Sequence, residues 1–566
     1  MNEHLLEPLK FYETSGKALH ADNTSDYFSA LLAKSGVNVE ENRATVRAFD
    51  AEKKKLDAIN KKIFRFKAVR ILSIIAIVIA VIAAICGIVI KNWIILALCP
   101  VVAITMLIII LTVLTPSIRR STEIQKILAE KASKLFDTAM QQMQPLNELF
   151  SSRDTFNIIE KTLPDINFNP RFTREEEKSF AKNYDFAIPD DEDTSALRVV
   201  SGDFLKNPFV FCRRLKHYLG TETYHGMLVI SWTETETDSN GRIRTVRRTQ
   251  TLHASLTKPK PYYTTDTTLL FGSHAVPELC FSRSPKHSEN LSEKQLEKKI
   301  KKGKKKLEKK ARKSLKKGGS FQEMANTEFE VLFGVENRNN ETQFRVMYTP
   351  LAQKNTVDII RSDTGYGDDF SFIKSKKLNI IRSEHMQSWA MSTSPANYRS
   401  HSVDLSKNKF ESFNNEYFKS LFFDFAPLLC VPVYNEEPPS FLNDESPLDC
   451  HFAKLEHEAM ANSIRDADFA HPDSATEAIL KTSVISSDKD GDTVSVTAFS
   501  YSASDRLDFV PVFGGDGHIH AVPVHWIEYI PIKSTSTLKV RFENKDDEKN
   551  ENEDALFNGL FASILK

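Results

Sequence analysis

Two uninterrupted apolar runs, Ile71 to Ile90 and Trp93 to Leu114, dominate the hydrophobic pattern, with only Lys91 and Asn92 between them. At ~1.5 Å per helical residue each run covers the roughly 30 Å of a bilayer's hydrocarbon core. A linker of two residues places the runs side by side, so they predict a transmembrane hairpin over 71–114 with no domain on its far side. Thinner stripes flank it. Val46, Phe49, Leu56, Ile59, Ile63 and Phe66 precede the spans at near-heptad spacing, and Ile124, Ile127, Leu128, Leu135, Ala139 and Met143 follow them. Equal distances from the turn predict an antiparallel stalk, residues 39–70 against 115–145, roughly 40 Å long. In that pairing Ile59 lies near Ile124 and Phe49 near Leu135, and Pro145 ends or kinks the second helix. The alternative is two amphipathic helices that pack separately on a soluble domain.

Residues 1–38 read as a packed or mobile appendage with a helical pattern through Tyr27, Leu31 and Leu32, and 146–200 as a connector. In the connector a helix starts after Thr173, where Glu175, Glu176 and Glu177 suit its positive end. The region 201–290 changes to strand grammar. Tyr224 to Thr237 and Arg242 to Leu256 are Thr-rich and β-branched, Asn240-Gly241 supplies the turn, and Pro259 and Pro261 close the hairpin. After a basic helix over 291–319, region 320–436 predicts strands from Phe329, through Phe344 to Tyr348 and Phe370 to Ile381, then a Phe-rich helix at Phe410 to Phe425 and a short strand at Leu428 to Val433. A helical connector over 437–475 carries Ala453 to Arg465. The block 476–545 reads as β, with a hairpin at Asp488 to Asp492. The tail 546–566 pairs an acidic, disordered-looking run with an amphipathic helix presenting Leu556, Phe557, Leu560, Phe561, Ile564 and Leu565. The expected fold class is an α+β membrane protein: a two-helix transmembrane hairpin continued as an antiparallel helical stalk, plus a mostly antiparallel, β-rich cytoplasmic region.

Charge orients the hairpin. Lys53, Lys54, Lys55, Lys61, Lys62, Arg65, Lys67 and Arg70 precede the first span and Arg119 and Arg120 follow the second. The positive-inside rule puts both termini in the cytoplasm, as a multi-pass protein of the cell membrane. Over all 566 residues Lys plus Arg equals Asp plus Glu at 75 each, so global charge selects no polyanionic partner. Cys86 and Cys99 fall in the spans. Cys212, Cys280, Cys430 and Cys450 are scattered with no CxxC pair, which predicts reduced thiols rather than a zinc or redox motif.

Local charge is another matter, because Glu293 to Lys317 holds 14 Lys or Arg against three Glu. Ser292 with Gln295 is a capping box, Leu291 with Leu296 a hydrophobic staple, and Gly318-Gly319 a stop. The apolar stripe of Leu296, Ile300, Leu307, Ala311 and Leu315 is thin, so the helix is expected to project from its domain. Lys298, Lys299, Lys301, Lys302, Lys304, Lys305, Lys306, Lys309, Lys310, Arg312 and Lys313 form the candidate lipid- or polyanion-binding face. An anionic leaflet is the leading partner, since juxtamembrane cations contribute roughly 1 kcal/mol each near such a surface. Nucleic acid or the ribosome is second, through phosphate attraction, and a solvated spacer third. Self-association and another membrane protein are further partners the layout allows.

Catalytic signatures are sparse. Gly365-Tyr366-Gly367-Asp368 lacks the re-entrant loop a cation filter needs. His457-Glu458 opens a zincin-like motif, but Ala461 stands where the second histidine belongs. Asp488, Asp490 and Asp492 do not have EF-hand spacing. Asp516, His518 and His520 are the one candidate set for a divalent metal, since alternate strand residues share a face; His525 has the opposite parity. The bland reading is a polar turn. No G-x-S-x-G, Walker loop or dinucleotide fingerprint occurs. The expected function is a non-enzymatic, membrane-anchored scaffold or sensor with no cofactor; the rival is a membrane-tethered metal enzyme built on His518 and His520.

Phe329, Val331 and Phe333, the run Arg345-Val346-Met347-Tyr348-Thr349-Pro350, and Phe370 to Ile381 with Lys377-Leu378-Asn379-Ile380 carry a resemblance. On them, over a minority of its length, the chain resembles uncharacterised bacterial membrane proteins with an N-terminal two-span hairpin and a cytoplasmic α+β domain of unknown function. The resemblance implies a bacterial inner membrane and no particular activity. The basic helix and the C-terminal β block depart from it.

Overall fold

The computed structural model describes residues 6–90, 93–186, 191–237, 242–319, 321–388, 391–435, 451–464, 468–488, 491–542 and 560–565; side chains are described for these except 86–97, 541–542 and 560–565. The Lys91-Asn92 and Asn240-Gly241 turns, Asp490, the acidic run 546–554, Leu556 and Phe557 lie outside the described residues. The chain mixes helix with antiparallel sheet and divides into two compact units.

One unit comprises Ala21–Ser151 and Ser394–Asn414. Gly36, at φ +66°, ends the helix Lys17–Ser35, and Asn38 caps the next by accepting from the Glu41 N–H at 3.2 Å. That next helix, Val39–Ile90, runs 52 residues without a break. Trp93–Ile109, a π-helical turn at Ile110–Leu114 and Thr115–Leu149 follow. Two of these helices are long and apolar enough to cross a membrane, and their apolar stretches are exposed: Ile71, Leu72, Ile79, Leu98 and Leu111 present more than half their surface.

Polar stretches of the same helices touch in reversed order. Gln125 donates to Asn60 at 2.8 Å, Lys131 pairs with Glu52 at 3.0 Å, the Phe136 and Phe49 rings are 5.7 Å apart, and Gln142 donates to Thr45 at 3.1 Å. Covered positions on Val39–Ile90 alternate in steps of three and four: Asn42, Thr45, Phe49, Glu52, Leu56, Ile59, Ile63 and Phe66. On Thr115–Leu149 they are Ser121, Gln125, Leu128, Ala132, Leu135 and Ala139, so Ile124 and Ile127 face outward, contrary to expectation. Nor does Pro145 end this helix, which continues to Leu149. The segment 398–404 seals the base. Asn42 donates to the His401 carbonyl at 3.0 Å and accepts from the Val403 N–H at 3.1 Å; Asn147 does the same for Ser400, at 3.2 and 3.3 Å. Each buried amide is thereby satisfied on both sides.

The second unit comprises Met1–His20, Ser152–Thr393 and Asn415–Lys566. Its seven-stranded sheet holds β1 (Ile166–Phe168), β2 (Thr194–Phe204), β3 (Asn207–Thr237), β4 (Ile243–Gly272), β5 (Cys280–Arg283), β6 (Phe370–Ser375) and β7 (Leu378–Ser383) in the order 1-2-3-4-7-6-5. A four-stranded sheet follows: β8 (Ile479–Asp488), β9 (Gly491–Phe513), β10 (Ile519–Phe542) and β11 (Leu560–Leu565), order 11-10-9-8. Every pairing is antiparallel.

β3 and β4 extend far past their neighbours as a two-stranded ribbon, and Pro259 and Pro261 do not close it: they lie in the ladder opposite Thr221 and Leu219. Both have the same parity, and among the described residues no further strand pairs with β4 there, the edge position in which Pro is tolerated. The ribbon's inner face packs on the β9–β10 ribbon through Ile230, Leu252, Ala254, Val522 and Val524. Gly226 sits at the crossing, where a Cβ would come within 2.0 Å of the Pro523 carbonyl oxygen.

Several expected strands are helices. Thr327–Phe333 and Glu341–Met347 are capped by Asn326 and Asn340, which accept from the Phe329 and Gln343 N–H groups at 3.1 and 3.0 Å. The Phe-rich helix runs Val403–Leu429 and takes Leu428 and Leu429 of the expected strand at Leu428 to Val433; a 3-10 turn at Pro432–Asn435 takes Pro432 and Val433, with Cys430 and Val431 between them in neither. Short apolar runs do not distinguish the two states by periodicity. Conversely, residues 560–565 form a strand rather than the expected amphipathic helix, pairing Leu560 with Phe542 and Leu565 with Thr537. Pairing there covers an open edge of β10, which a helix would leave unbonded. Of the expected appendage, residues 8–20 are packed: Tyr12 is buried, 4.9 to 6.1 Å from the rings of Phe418, Phe422 and Phe423.

Candidate functional site

The basic helix spans Glu293–Lys316. Gln295 accepts from the Ser292 N–H at 3.0 Å in the expected capping box, and at the other end Gly318, at φ +68°, lets the Gly319 N–H reach the Ser314 carbonyl at 2.9 Å. It lies along its domain instead of projecting. Leu296 is buried, Ile300, Leu307 and Ala311 are half-buried, and Gly303 meets Val331 so closely that a Cβ would be 2.5 Å from a Val331 methyl. A missing side chain thus does the packing that the thin stripe did not promise. Two lysines make contacts within the domain, Lys299 half-buried and Lys310 still exposed. Lys299 Nζ donates to Ser288 Oγ at 2.9 Å, and Lys310 lies 4.3 Å from the Phe321 ring.

The other candidate residues, Lys298, Lys301, Lys302, Lys304, Lys305, Lys306, Lys309, Arg312 and Lys313, are exposed. Among the described residues none of them pairs with a carboxylate; the helix's own Glu293 is taken by Arg361 at 2.8 Å. Such a row of solvated, uncompensated cations attracts a diffuse negative surface.

The metal candidates come together only in part. Asp516 meets His520 Nε2 at 2.9 and 3.0 Å and accepts from the His518 backbone N–H at 3.1 Å, bonds that hold its carboxyl below the usual range. The His518 side chain is exposed at the turn, while His525 sits opposite Leu507 in the ladder. Among the described residues no three His, Cys, Asp or Glu side chains are grouped to hold a metal ion. Gly515 donates to Gln250 at 2.7 Å, so this turn serves to dock the β9–β10 tip on the β3–β4 ribbon.

Several of the other polar groups singled out by the sequence are engaged. His457 Nε2 bonds Asp492 at 3.1 Å, and Asp492 also accepts from the Phe452 N–H and meets His451 Nδ1, each at 3.1 Å. Burial alone would raise the Asp492 carboxyl, but these bonds and Ser487 outweigh it and hold it low. Glu458 pairs with Lys481 at 2.7 Å. Asp488 accepts from the Gly491 N–H at 3.0 Å. Asp368, from the Gly-Tyr-Gly-Asp run, is wholly buried against Arg283 and Ser288. Burial would lower His385, but Asp424 at 2.8 Å and Asp369 push it up to about 10.

Sequence reading missed Arg214, Asp266 and Arg382, which meet on one face of β3, β4 and β7. Parity was the available signal: Cys212 and Arg214 alternate with Arg213 and Leu215, but which partner strand lies alongside is not written locally. No family model, curated protein or solved structure matches the chain.

Proposed function

We propose that this protein is a non-enzymatic scaffold or sensor anchored in the cell membrane by a two-helix hairpin, with both termini cytoplasmic and the basic helix resting on the anionic leaflet. The uncompensated basic face of Glu293–Lys316 carries the reading. Support comes from the exposed apolar stretches of Val39–Ile90 and Trp93–Ile109, which in water would be costly to leave uncovered, and from the reversed contacts between Val39–Ile90 and Thr115–Leu149, which suit a stalk that continues the spans. If half of the nine exposed cations reach the headgroups, attraction amounts to roughly 4 to 5 kcal/mol, enough to hold a helix already tethered nearby.

The test is lysine acylation footprinting of the full chain in nanodiscs. Lys301, Lys305 and Lys309 should be protected when phosphatidylserine is present, unprotected in phosphatidylcholine alone, and deprotected again by high salt. Equal labelling in both lipids overturns the lipid reading. Protection by added RNA instead would move the same face to nucleic acid.

A further inference from the structure

A cavity of about 250 Å³ opens on the β3–β4–β7 face. Its walls are apolar: Phe186, Cys212, Leu270, Leu378, Ile380 and Leu455. Burial pushes the Cys212 thiol up to about 12, so it stays neutral and acts as wall. The register explains the assembly, since Cys212 lies opposite Thr268, Arg214 opposite Asp266 and Leu270 opposite Ile380, all on one face.

Charge is concentrated on one side. Arg214 and Arg382 line the cavity, and with Lys216 they share one carboxylate, Asp266. Lys216 Nζ holds Asp266 Oδ2 at 2.6 Å, whereas Arg214 and Arg382 stand off at 3.8 and 3.7 Å, beyond hydrogen-bond reach. Arg214 Nε is buried with no hydrogen-bond partner among the described residues, and Arg382 spends its own Nε on Thr268 Oγ1 at 3.1 Å. Three cations share one carboxylate, and of the two guanidinium groups Arg382 is partly solvated, at 40% side-chain exposure, whereas Arg214 is 15% exposed and is the one left wanting an acceptor at the rim of an apolar hole. A buried guanidinium donor in this state, with a second guanidinium beside it, suits an anionic acceptor with several oxygens.

We propose that this cavity binds an amphipathic anion, an alkyl chain ended by a carboxylate or phosphate, with the headgroup oxygens on Arg214 and Arg382 and the chain among the apolar walls. At ~30 Å³ for each water-sized group, the volume admits about eight carbons. The site is independent of the basic helix and of any lipid bound there.

Equilibrium dialysis of labelled octanoate, octyl phosphate and octanol against the full chain in phosphatidylcholine nanodiscs, with empty nanodiscs subtracted, tests this. Either anion should bind saturably at one site per chain, octanol roughly tenfold or more weaker, because it lacks the charge-assisted bonds. Which anion binds tighter identifies the headgroup. Arg214→Gln should remove the preference for anion over octanol, and Leu378→Trp, which fills the hole, should abolish saturable binding of all three. Binding indistinguishable from empty nanodiscs, or octanol equal to both anions, overturns the proposal; both comparisons use the unaltered protein, so a variant that fails to fold does not obscure them.

Discussion

Replacing Gly226 by alanine should unlatch the two long ribbons from each other. The added Cβ would stand 2.0 Å from the Pro523 carbonyl oxygen and 2.9 Å from a Val524 methyl. Because the first obstacle is backbone in a paired strand, no rotamer change relieves it, and the ribbons must part by about 1 Å or more to restore van der Waals distance. A gap of that size forfeits a quarter to a half of the dispersion well across Ile230, Leu252, Ala254, Val522 and Val524. Overpacking of this kind costs about 1–3 kcal/mol. The effect is local, so hydrogen exchange of the full chain in nanodiscs is the assay. Amides of Leu228 to Trp232 and of Val522 and Val524 should exchange about 10- to 100-fold faster in Gly226→Ala, while β1, β2 and the basic helix keep their protection. Met227→Ala, on the exposed outer face, should change little. Unaltered ribbon exchange in Gly226→Ala would refute the close approach and with it the docking of the ribbons.

Other measurements bear on other parts of the molecule. Arg283 and Asp368 form a wholly buried pair, so Arg283→Gln should cost about 3–5 kcal/mol in denaturant unfolding, and Arg283→Met with Asp368→Leu should recover much of it. Glu456 is buried with one oxygen unpartnered, and burial pushes its carboxyl up to about 8. Below its ordinary pKa near 4.5 both states hold the proton and nothing is lost; between 4.5 and about 8 the folded state alone keeps it, so stability falls as pH rises through that window. Glu456→Gln should flatten that part of the thermal-stability profile. An Asn60→Cys, Gln125→Cys double variant should crosslink under mild oxidation in nanodiscs, where Ile59→Cys with Ile127→Cys should not, since Ile127 faces outward; the reverse result would refute the register. Finally, the zinc content of the purified chain should stay below one per molecule and be unmoved by His518→Ala, and a stoichiometric metal lost in that variant would revive the enzyme reading.

The apolar helices, the long stripes, the capped basic helix and the β-hairpin at residues 224–256 were legible because each rests on local information. Twenty apolar residues in a row, a Ser-x-x-Gln cap and a period of two identify an element whatever surrounds it. Asn326 and Asn340 were equally local caps, and weighing them would have changed the Phe329 and Phe344 segments from strand to helix. Other features are not written in any one segment. Whether Pro259 ends a strand depends on whether another strand needs its N–H. Whether residues 560–565 coil or extend depends on an open edge of β10. Gly303 reads as a flaw in a helix until Val331 is seen against it. The cavity lined by Arg214 and Arg382 is assembled from strands far apart in sequence, and the one carboxylate beside them, Asp266, is held closer by Lys216 than by either arginine. Sequence periodicity sets which face a residue occupies; the neighbour that face meets, and so the work left for its polar atoms, is decided by tertiary packing.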